Sequence, residues 1–378
     1  MSVAIISTKT GNGHNSVMNT LADEFKNQGY DDVAVFPTFY EDLMVSNKIM
    51  SDFYNFLMIT STELCGKFSE LSSLVRPDLS EDFYNGVHDK IVEFIKSNSF
   101  STIISTSHTL NHAFIRILKE MDLYYSIGFY IVITDPYNPI SVGFAAQDAK
   151  KYYCGSSTVK NILLKSGISE QKIEAVGYPI HSKFFKEFTE KDIDGIYQKL
   201  DFRKDKKTLL INSGSQGAYH YLKLLKPVLA TYKDLQIIFV CGRNKNLQDL
   251  VNATIKKEKC TNVRAFGFVD NIEELMKVSD IIITKAGANA FFECLYMQKP
   301  MIIDGINGYL FQERGVLDFI KRDKMGIVLD DQENLINVIS EMLDDRKYNE
   351  FKENIIELKL QNGAKEIISD ILKTEGLR

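Results

Sequence analysis

The chain has 378 residues, room for two domains at roughly 150 residues each, and its 44% hydrophobic and 25% charged content excludes a disordered or low-complexity polymer. A net charge of −5 argues against broad nucleic-acid binding, and no run reaches the roughly 18 apolar residues of a spanning helix, so any membrane contact is peripheral. Five cysteines (Cys65, Cys154, Cys241, Cys260 and Cys294) without a CxxC pair point to a reducing, cytoplasmic compartment and to no zinc knuckle.

Met1 leads straight into the apolar run Val3–Ser7, with no basic segment of the kind that opens a secretory signal. That run begins a first series of strand candidates: Val3–Ser7, Val33–Phe36, Thr102–Ser105, Gly128–Thr134, Lys151–Cys154 and Ile173–Val176. A second series follows at Thr208–Asn212, Gln236–Val240, Val263–Phe266, Asp280–Thr284, Pro300–Ile303 and Gly326–Leu329. Ile/Val runs without alternation indicate strands covered on both faces, hence parallel sheets in an α/β protein. Two doubly wound, Rossmann-like domains facing across a cleft are therefore expected: residues 1–184 and 208–345. The charged, strandless stretch 185–207 links them, and helices over 346–378 close the chain, packing back toward the first domain. Ligands in such sheets bind beyond the carboxyl ends of the strands, so the loops after Ser7, Ser105, Thr134, Asn212, Thr284 and Ile303 are the places to seek chemistry.

The first of these loops is "STKTGNGHNS", Ser7 to Ser16. It is not a phosphate loop of the GxxxxGK(S/T) type, because His14 follows Gly13 where lysine belongs. Nor is it a dinucleotide fingerprint, because Ser16 stands at the third glycine position and the second strand ends at Phe36-Pro37 without an acid. Gly11 and Gly13 still let a substrate lie against bare backbone beside a helix start. His14 there can take a proton from a hydroxyl; a solvent-exposed turn histidine fits the same residues.

The stretch Glu41–Val75 is rich in Met, Phe, Tyr and Leu at helical spacing, which by default marks core. "STSHTLNHAF", Ser105 to Phe114, spaces His108 and His112 four apart, but Thr109 replaces the glutamate of a zinc motif. No metal is expected there; His108, at a strand end, is a candidate acceptor contact. Asp135 is placed similarly and either polarises a base or caps a turn before Pro136. His88, His181 and His220 are read as structural or solvent-facing.

The second half is more specific. "INSGSQGA" gathers Ser213, Gly214, Ser215, Gln216 and Gly217 into a nest whose amides suit a diphosphate. "FGFVDN" offers Phe268 and Val269 where a base can lie. "TKAGANAFFECLYMQKP" turns through Lys285, Ala286, Gly287, Ala288 and Asn289 into a helix. Glu293 falls six residues after Gly287, about 1.7 helical turns on, where a carboxylate can accept both ribose hydroxyls. A solvated helix acid is the competing reading, but its neighbours are apolar and an unpaired charge there is costly. Gln312 and Glu313 then offer adjacent polar groups for sugar hydroxyls.

These residues, in this order, resemble the GT-B glycosyltransferases that group the peptidoglycan enzyme adding GlcNAc to an undecaprenyl-linked acceptor with monogalactosyldiacylglycerol synthases and processive diacylglycerol glucosyltransferases. Gly11-Asn12-Gly13-His14 resembles the glycine-rich opening of the diacylglycerol branch. "KYYCGSSTVKNILLKSGISEQKIEAVGYPIHSKF", "GFVDNIEELMKVSDIIITKAG" and "QERGVLDFI" are similar to that branch, and "SGSQGA" to the peptidoglycan enzyme. The resemblance implies inverting, metal-free transfer of a hexose from a UDP-sugar to a lipid hydroxyl such as diacylglycerol, with the UDP-sugar as donor substrate and no cofactor. It implies Glu293 at the ribose, Ser215 and Gly287 at the diphosphate, Phe268 at the uracil, Gln312 and Glu313 at the sugar, and His14 as base. It also places Glu41–Val75 where lipid-acting relatives touch a membrane, hence a peripheral protein of the inner face of the cell membrane. The chain departs from the branch after Thr134-Asp135, where "PYNPISVGFAAQDAKKYY" holds neither the usual histidine nor tryptophan. A soluble acceptor, an isomerase like the UDP-GlcNAc 2-epimerases and a sugar-nucleotide sensor stay open on sequence alone.

Overall fold

The computed structural model describes residues 2–377; Met1 and Arg378, the outer ends of the first and last segments, lie outside them. Twelve strands among the described residues form two six-stranded sheets, and every pairing is parallel. The first contains β1 (Ser2–Ile6), β2 (Val33–Phe36), β3 (Phe100–Ser105), β4 (Gly128–Val132), β5 (Lys151–Cys154) and β6 (Ile173–Ala175), in the order β2-β1-β3-β4-β5-β6. The second contains β7 (Thr208–Asn212), β8 (Gln236–Val240), β9 (Val263–Phe266), β10 (Ile281–Lys285), β11 (Met301–Asp304) and β12 (Gly326–Leu329), in the order β12-β11-β10-β7-β8-β9. Helices cover both faces, so the central strands are buried throughout: Val3, Ala4, Ile5, Ile104, Leu209, Leu210, Ile281 and Ile283. The α/β reading from unbroken apolar runs holds for this reason.

Six helices position the cleft: α1 (Gly13–Asn27), α2 (Val45–Thr60), α3 (Thr62–Val75), α4 (Glu190–Leu200), α5 (Ala288–Tyr296) and α6 (Gly363–Glu375). Helix α4 lies in the stretch between the sheets and starts at a capping box, with the Thr189 hydroxyl accepting from Asp192 N and the Asp192 carboxylate accepting from Thr189 N.

The halves share one apolar core. The Tyr178 ring, beyond β6, stacks on Phe292 of α5 at 4.5 Å, and Tyr137 stacks on Phe319 at 4.6 Å. The chain returns after the second sheet, and α6 lies along α1. Ile367, Ile368, Ile371 and Leu372 are buried, and Gln28 donates to the Lys365 carbonyl and accepts from Ser369. Asp370 accepts from Tyr153 at 2.6 Å and Lys151 at 2.7 Å. Because the last helix completes the first half's core, Ile371→Ala is expected to cost about 3 kcal/mol, the loss of buried methyls plus a cavity. Urea denaturation measures this; a loss below about 1 kcal/mol would mean α6 is only loosely attached.

Candidate active site

A cavity of about 780 Å³ runs between the two sheets, lined by loops at the carboxyl ends of the strands of both. Its first wall starts at the turn after β1. Gly11 (φ 64°) and Asn12 (φ 65°) are both left-handed, which reverses the chain so that α1 begins at Gly13 with its amino end toward the cavity. The His14 ring hangs from the first turn of that helix. Its Nδ1 lies 2.8 Å from the Thr106 carbonyl and 3.0 Å from Thr134 Oγ1. A carbonyl only accepts, so Nδ1 carries the proton and Nε2 presents a lone pair. Burial lowers the His14 pKa, opposed by the Asp135 charge and the Thr106 carbonyl. The ring is therefore neutral at pH 7 with its basic nitrogen free. The exposed-turn reading of His14 is overturned by this placement.

Asp135 is buried, and its Oδ2 accepts from Ser141 N at 2.7 Å. It is a loop cap, as one of the two sequence readings had it, and it acts on His14 through its charge. Burial pushes its carboxyl up, against the lowering effects of Ser141 and His14. His108 also lines the cavity, 6.1 Å from His14 and 5.6 Å from Phe144 between ring centres. Burial drives its pKa down to about 3, and its Nδ1 has no hydrogen-bond partner among the described residues. His108 and His112 do not share a helical face, because the helix that holds His112 starts only at Asn111. His112 turns away to Arg76, 3.2 Å from its Nε2.

The opposite wall comes from the second sheet. Gly214 and Gly217, both left-handed, shape the turn after β7, with Gly214 N bonded to Asn212 Oδ1. Gly217 needs to be glycine for space as well, since a Cβ would meet the Cys241 carbonyl at 2.0 Å. The Ser213 hydroxyl is occupied by the Val240 carbonyl at 2.7 Å, so Ser213 builds the turn while Ser215 and Gln216 line open space. The Lys285 side chain arches over Gly214 and Gly287, with its Nζ 4.0 Å from Glu313 Oε1. Gly287 caps α5, whose amino end also faces the cavity. Two helix amino ends and Lys285 thus converge on one space, which suits an anion.

Asn289, expected among the ligand contacts, joins the walls instead. Its Oδ1 accepts from the Tyr178 hydroxyl at 2.6 Å, and its Nδ2 donates to the Gly13 carbonyl at 3.2 Å. Gly13 is therefore a joint as well as a cavity residue. One turn on, Glu293 faces the cavity, where burial raises its pKa to about 7 against the lowering pull of Lys183. Phe268 and Val269 form the far rim; Phe268 is half exposed, and the Arg243 guanidinium sits 4.3 Å above its ring. Gln312 and Glu313 lie at the other end. Glu313 Oε2 accepts from Leu310 N at 2.9 Å, leaving Oε1 toward Lys285 and Gly287. Ala286 and Ala288 complete the lining.

Sequence reasoning missed several of these residues. Arg243 follows β8, whose loop carries a Cys-Gly-Arg-Asn turn that was not among the loops singled out. Lys183, not singled out, and His181, read as structural or solvent-facing, line the cavity, and His181 Nε2 lies 3.2 Å from Asp23. His220 pairs with Asp304 behind the Ser213–Ala218 turn. His88 is at the surface beside Asp89.

Helices α2 and α3 form a hairpin at the mouth of the cavity. The core expectation for this stretch fails on its outer face, where Val45 is 78% exposed, Leu74 77%, Ile49 61% and Phe56 58%. Among the described residues no helix is long and apolar enough to cross a membrane.

The comparisons with known proteins agree with this layout. A model of the monogalactosyldiacylglycerol (MGDG) synthase family matches residues 14–180, and one of the glycosyltransferase family 28 C-terminal domain matches residues 208–371. A processive diacylglycerol beta-glucosyltransferase of Bacillus licheniformis is 28% identical over 98% of this chain and 94% of its own. One of Bacillus pumilus is 26% identical over 99% and 95%. In fold, the chain matches MurG of Acinetobacter baumannii (TM-score 0.61, 12% identity, 99% of this chain and 100% of that one). It matches the UDP-GlcNAc 2-epimerase of Neisseria meningitidis with a TM-score of 0.64, at 12% identity and the same coverage.

Proposed function

Because the chain belongs to the GT-B glycosyltransferases that unite MGDG synthases with processive diacylglycerol glucosyltransferases, we propose that it transfers glucose from UDP-glucose to the hydroxyl of diacylglycerol at a membrane surface. It is a UDP-sugar-dependent enzyme of glycolipid synthesis. The observation that carries the finer reading is the cavity itself: a neutral histidine with a free Nε2 on one wall, a cationic, amide-rich turn on the other, and an apolar hairpin at the mouth. The epimerase reading is weakened by the relatives: whole-length sequence similarity is to glucosyltransferases, whereas the epimerase likeness is one of fold.

In this reading the uracil lies at Phe268 and Val269, Glu293 accepts the ribose hydroxyls, and the diphosphate rests on Gly214, Ser215, Gly287 and the start of α5. Gln312 and Glu313 Oε1 hold the hexose. The acceptor hydroxyl, flanked by His108, gives its proton to His14 Nε2. Its oxygen bonds to the anomeric carbon from the face opposite the diphosphate, and the bond to UDP breaks with its electron pair leaving on UDP. The configuration inverts. Lys285, the two helix amino ends and Arg243 stabilise the departing charge without a metal or cofactor. Asp135 stabilises the imidazolium as it forms, which offsets the burial that keeps His14 neutral beforehand. The five unpaired cysteines fit a cytoplasmic site.

The hairpin supplies the lipid contact. Residues 45–75 carry two lysines, Lys48 and Lys67, against three acids, Asp52, Glu63 and Glu70, so attraction to anionic headgroups is weak and apolar insertion dominates.

Three outcomes are expected. Incubation with UDP-glucose and diacylglycerol vesicles releases UDP and gives glucosyl-diacylglycerol by mass. His14→Ala lowers that turnover by about 10²–10⁴-fold while UDP-glucose still binds; normal turnover removes the base assignment. Second, ribose hydroxyls donate to an ionised carboxylate, so binding pulls the Glu293 pKa down from about 7. Proton release then makes UDP-glucose affinity rise with pH up to about 7 and flatten above it. Glu293→Gln weakens binding and flattens that dependence in calorimetry; a pH profile unchanged in the variant would count against Glu293 at the ribose. Third, Phe53→Ser with Phe56→Ser reduces vesicle flotation at an unchanged melting temperature, and a collapse of the fold instead would place both rings in core.

A further inference from the structure

Helix α2 has a second role that its outer face conceals. At 100° per residue, Ile49, Phe53 and Phe56 point one way, and they are exposed. Ser51, Tyr54, Asn55 and Met58 point the other way, into the cavity wall. That inner face touches two loops that belong to different halves of the molecule.

The first is the loop that presents His14. Asn55 Oδ1 accepts from Gly11 N at 2.9 Å, and Asn55 Nδ2 donates to the Lys9 carbonyl at 3.4 Å. The Met58 sulfur lies 3.5 Å from where a Gly11 Cβ would stand. Ser51 donates to buried Glu41, which also accepts from the Thr8 hydroxyl and Lys9 N. Two successive left-handed residues, one of them Asn12, are unfavourable without such support, and α2 provides it.

The second is the loop before Gln312. Leu57 and Cys65 bury against Leu310. A Cβ on Gly66 would come 2.8 Å from the Tyr309 carbonyl, so helix and loop meet backbone to backbone. Tyr54 packs against this cluster and lines the cavity with Ser69 of the hairpin and Gln312 across the cleft, both near enough to its hydroxyl to oppose the rise in pKa that burial causes. Arg314 reaches Glu70 at 3.5 Å.

We propose that Asn55 and Tyr54 are positioning residues of the active site: Asn55 sets the loop that aims His14, and Tyr54 sets Gln312 at the sugar end of the donor site. This rests on the reading of His14 and Gln312 given above. It adds that the lipid-facing hairpin fixes both the acceptor-activating and the sugar-holding groups from outside either sheet.

The test compares Asn55→Leu, Asn55→Asp and Tyr54→Phe by steady-state kinetics with UDP-glucose and diacylglycerol vesicles, UDP calorimetry, vesicle flotation and melting temperature. Asn55→Leu lowers kcat about tenfold, the weight of one hydrogen bond, with KM and UDP affinity within roughly twofold; Asn55→Asp, which keeps the acceptor oxygen, restores most of the rate. Tyr54→Phe raises KM for UDP-glucose about fivefold to tenfold on the same basis and leaves UDP affinity and flotation unchanged, because UDP has no hexose. Equal losses in Asn55→Leu and Asn55→Asp, equal weakening of UDP and UDP-glucose in Tyr54→Phe, or losses that track melting temperature or flotation overturn the proposal. If the native chain binds and slowly hydrolyses UDP-glucose but glucosylates no lipid, the acceptor reading alone fails, and hydrolysis rate and affinity carry the same comparisons. A native chain that binds no UDP-glucose overturns both.

Discussion

The meeting of the two halves turns on the side chain of Asn289. It accepts from the Tyr178 hydroxyl and donates to the Gly13 carbonyl. An amide removed from water needs its donor and acceptor both satisfied, so these bonds fix how α5 approaches α1. The Tyr178 ring is locked in turn by stacking on Phe292, one turn along the same helix. His14 is the residue after Gly13, and Gly287 lies two residues before Asn289. The group proposed to take a proton and the turn proposed to receive a leaving anion are thus tied together by one side chain.

Burial then divides the labour inside the cleft. Desolvation lowers the pKa of His14 and His108 and raises that of Asp135 and Glu293, so both rings are neutral at pH 7 and both carboxyls ionise less readily than in water. The permanent cations that line the cavity, Lys285, Arg243 and Lys183, all stand on the side proposed for the nucleotide. In the proposed reading a doubly charged diphosphate is drawn to that side, where Lys183 already pairs with Glu273 at 3.0 Å and Lys285 has no close counter-charge. Among the described residues no acid pairs closely with Lys285, since Glu313 stands 4.0 Å away and is tied to Leu310 N.

How much of this was legible follows from what each signal measures. Parallel strands covered on both faces appear as unbroken apolar runs, and although the edge strands β6 and β9 carry Glu174 and Arg264, all twelve positions were read from the sequence. The ends were harder: β10 and β11 each run one residue later than the apolar run suggests, which makes Lys285 the last strand residue rather than part of the turn. Glycine turns at strand ends were visible because left-handed backbone favours glycine. Side-chain partners across the cleft were not, since Asn289 meets Gly13 over 276 positions of sequence. The four-residue spacing of His108 and His112, read as holding no metal, joins no pair for a local reason as well. A four-residue interval joins two side chains only inside a helix, and this helix begins between them.

Helix α2 shows a different failure of pattern reading, and the failure is informative. Apolar residues at helical spacing are ordinarily assigned to the core side. Here the sides are exchanged: Asn47 and Ser51 are buried at 4% and 1% exposure, while Val45 and Ile49 stand 78% and 61% exposed. A folded chain tolerates such an inversion when the inward polar groups have partners, and they do: Asn47 donates to the Tyr40 carbonyl and Ser51 to Glu41. The outward apolar groups remain unfavourable in water and favourable against lipid. An inside-out helix of this kind is unfavourable as packing yet coherent as an interface. Its polar inward face is also what lets it grip the Gly11 loop by hydrogen bonds rather than by shape alone.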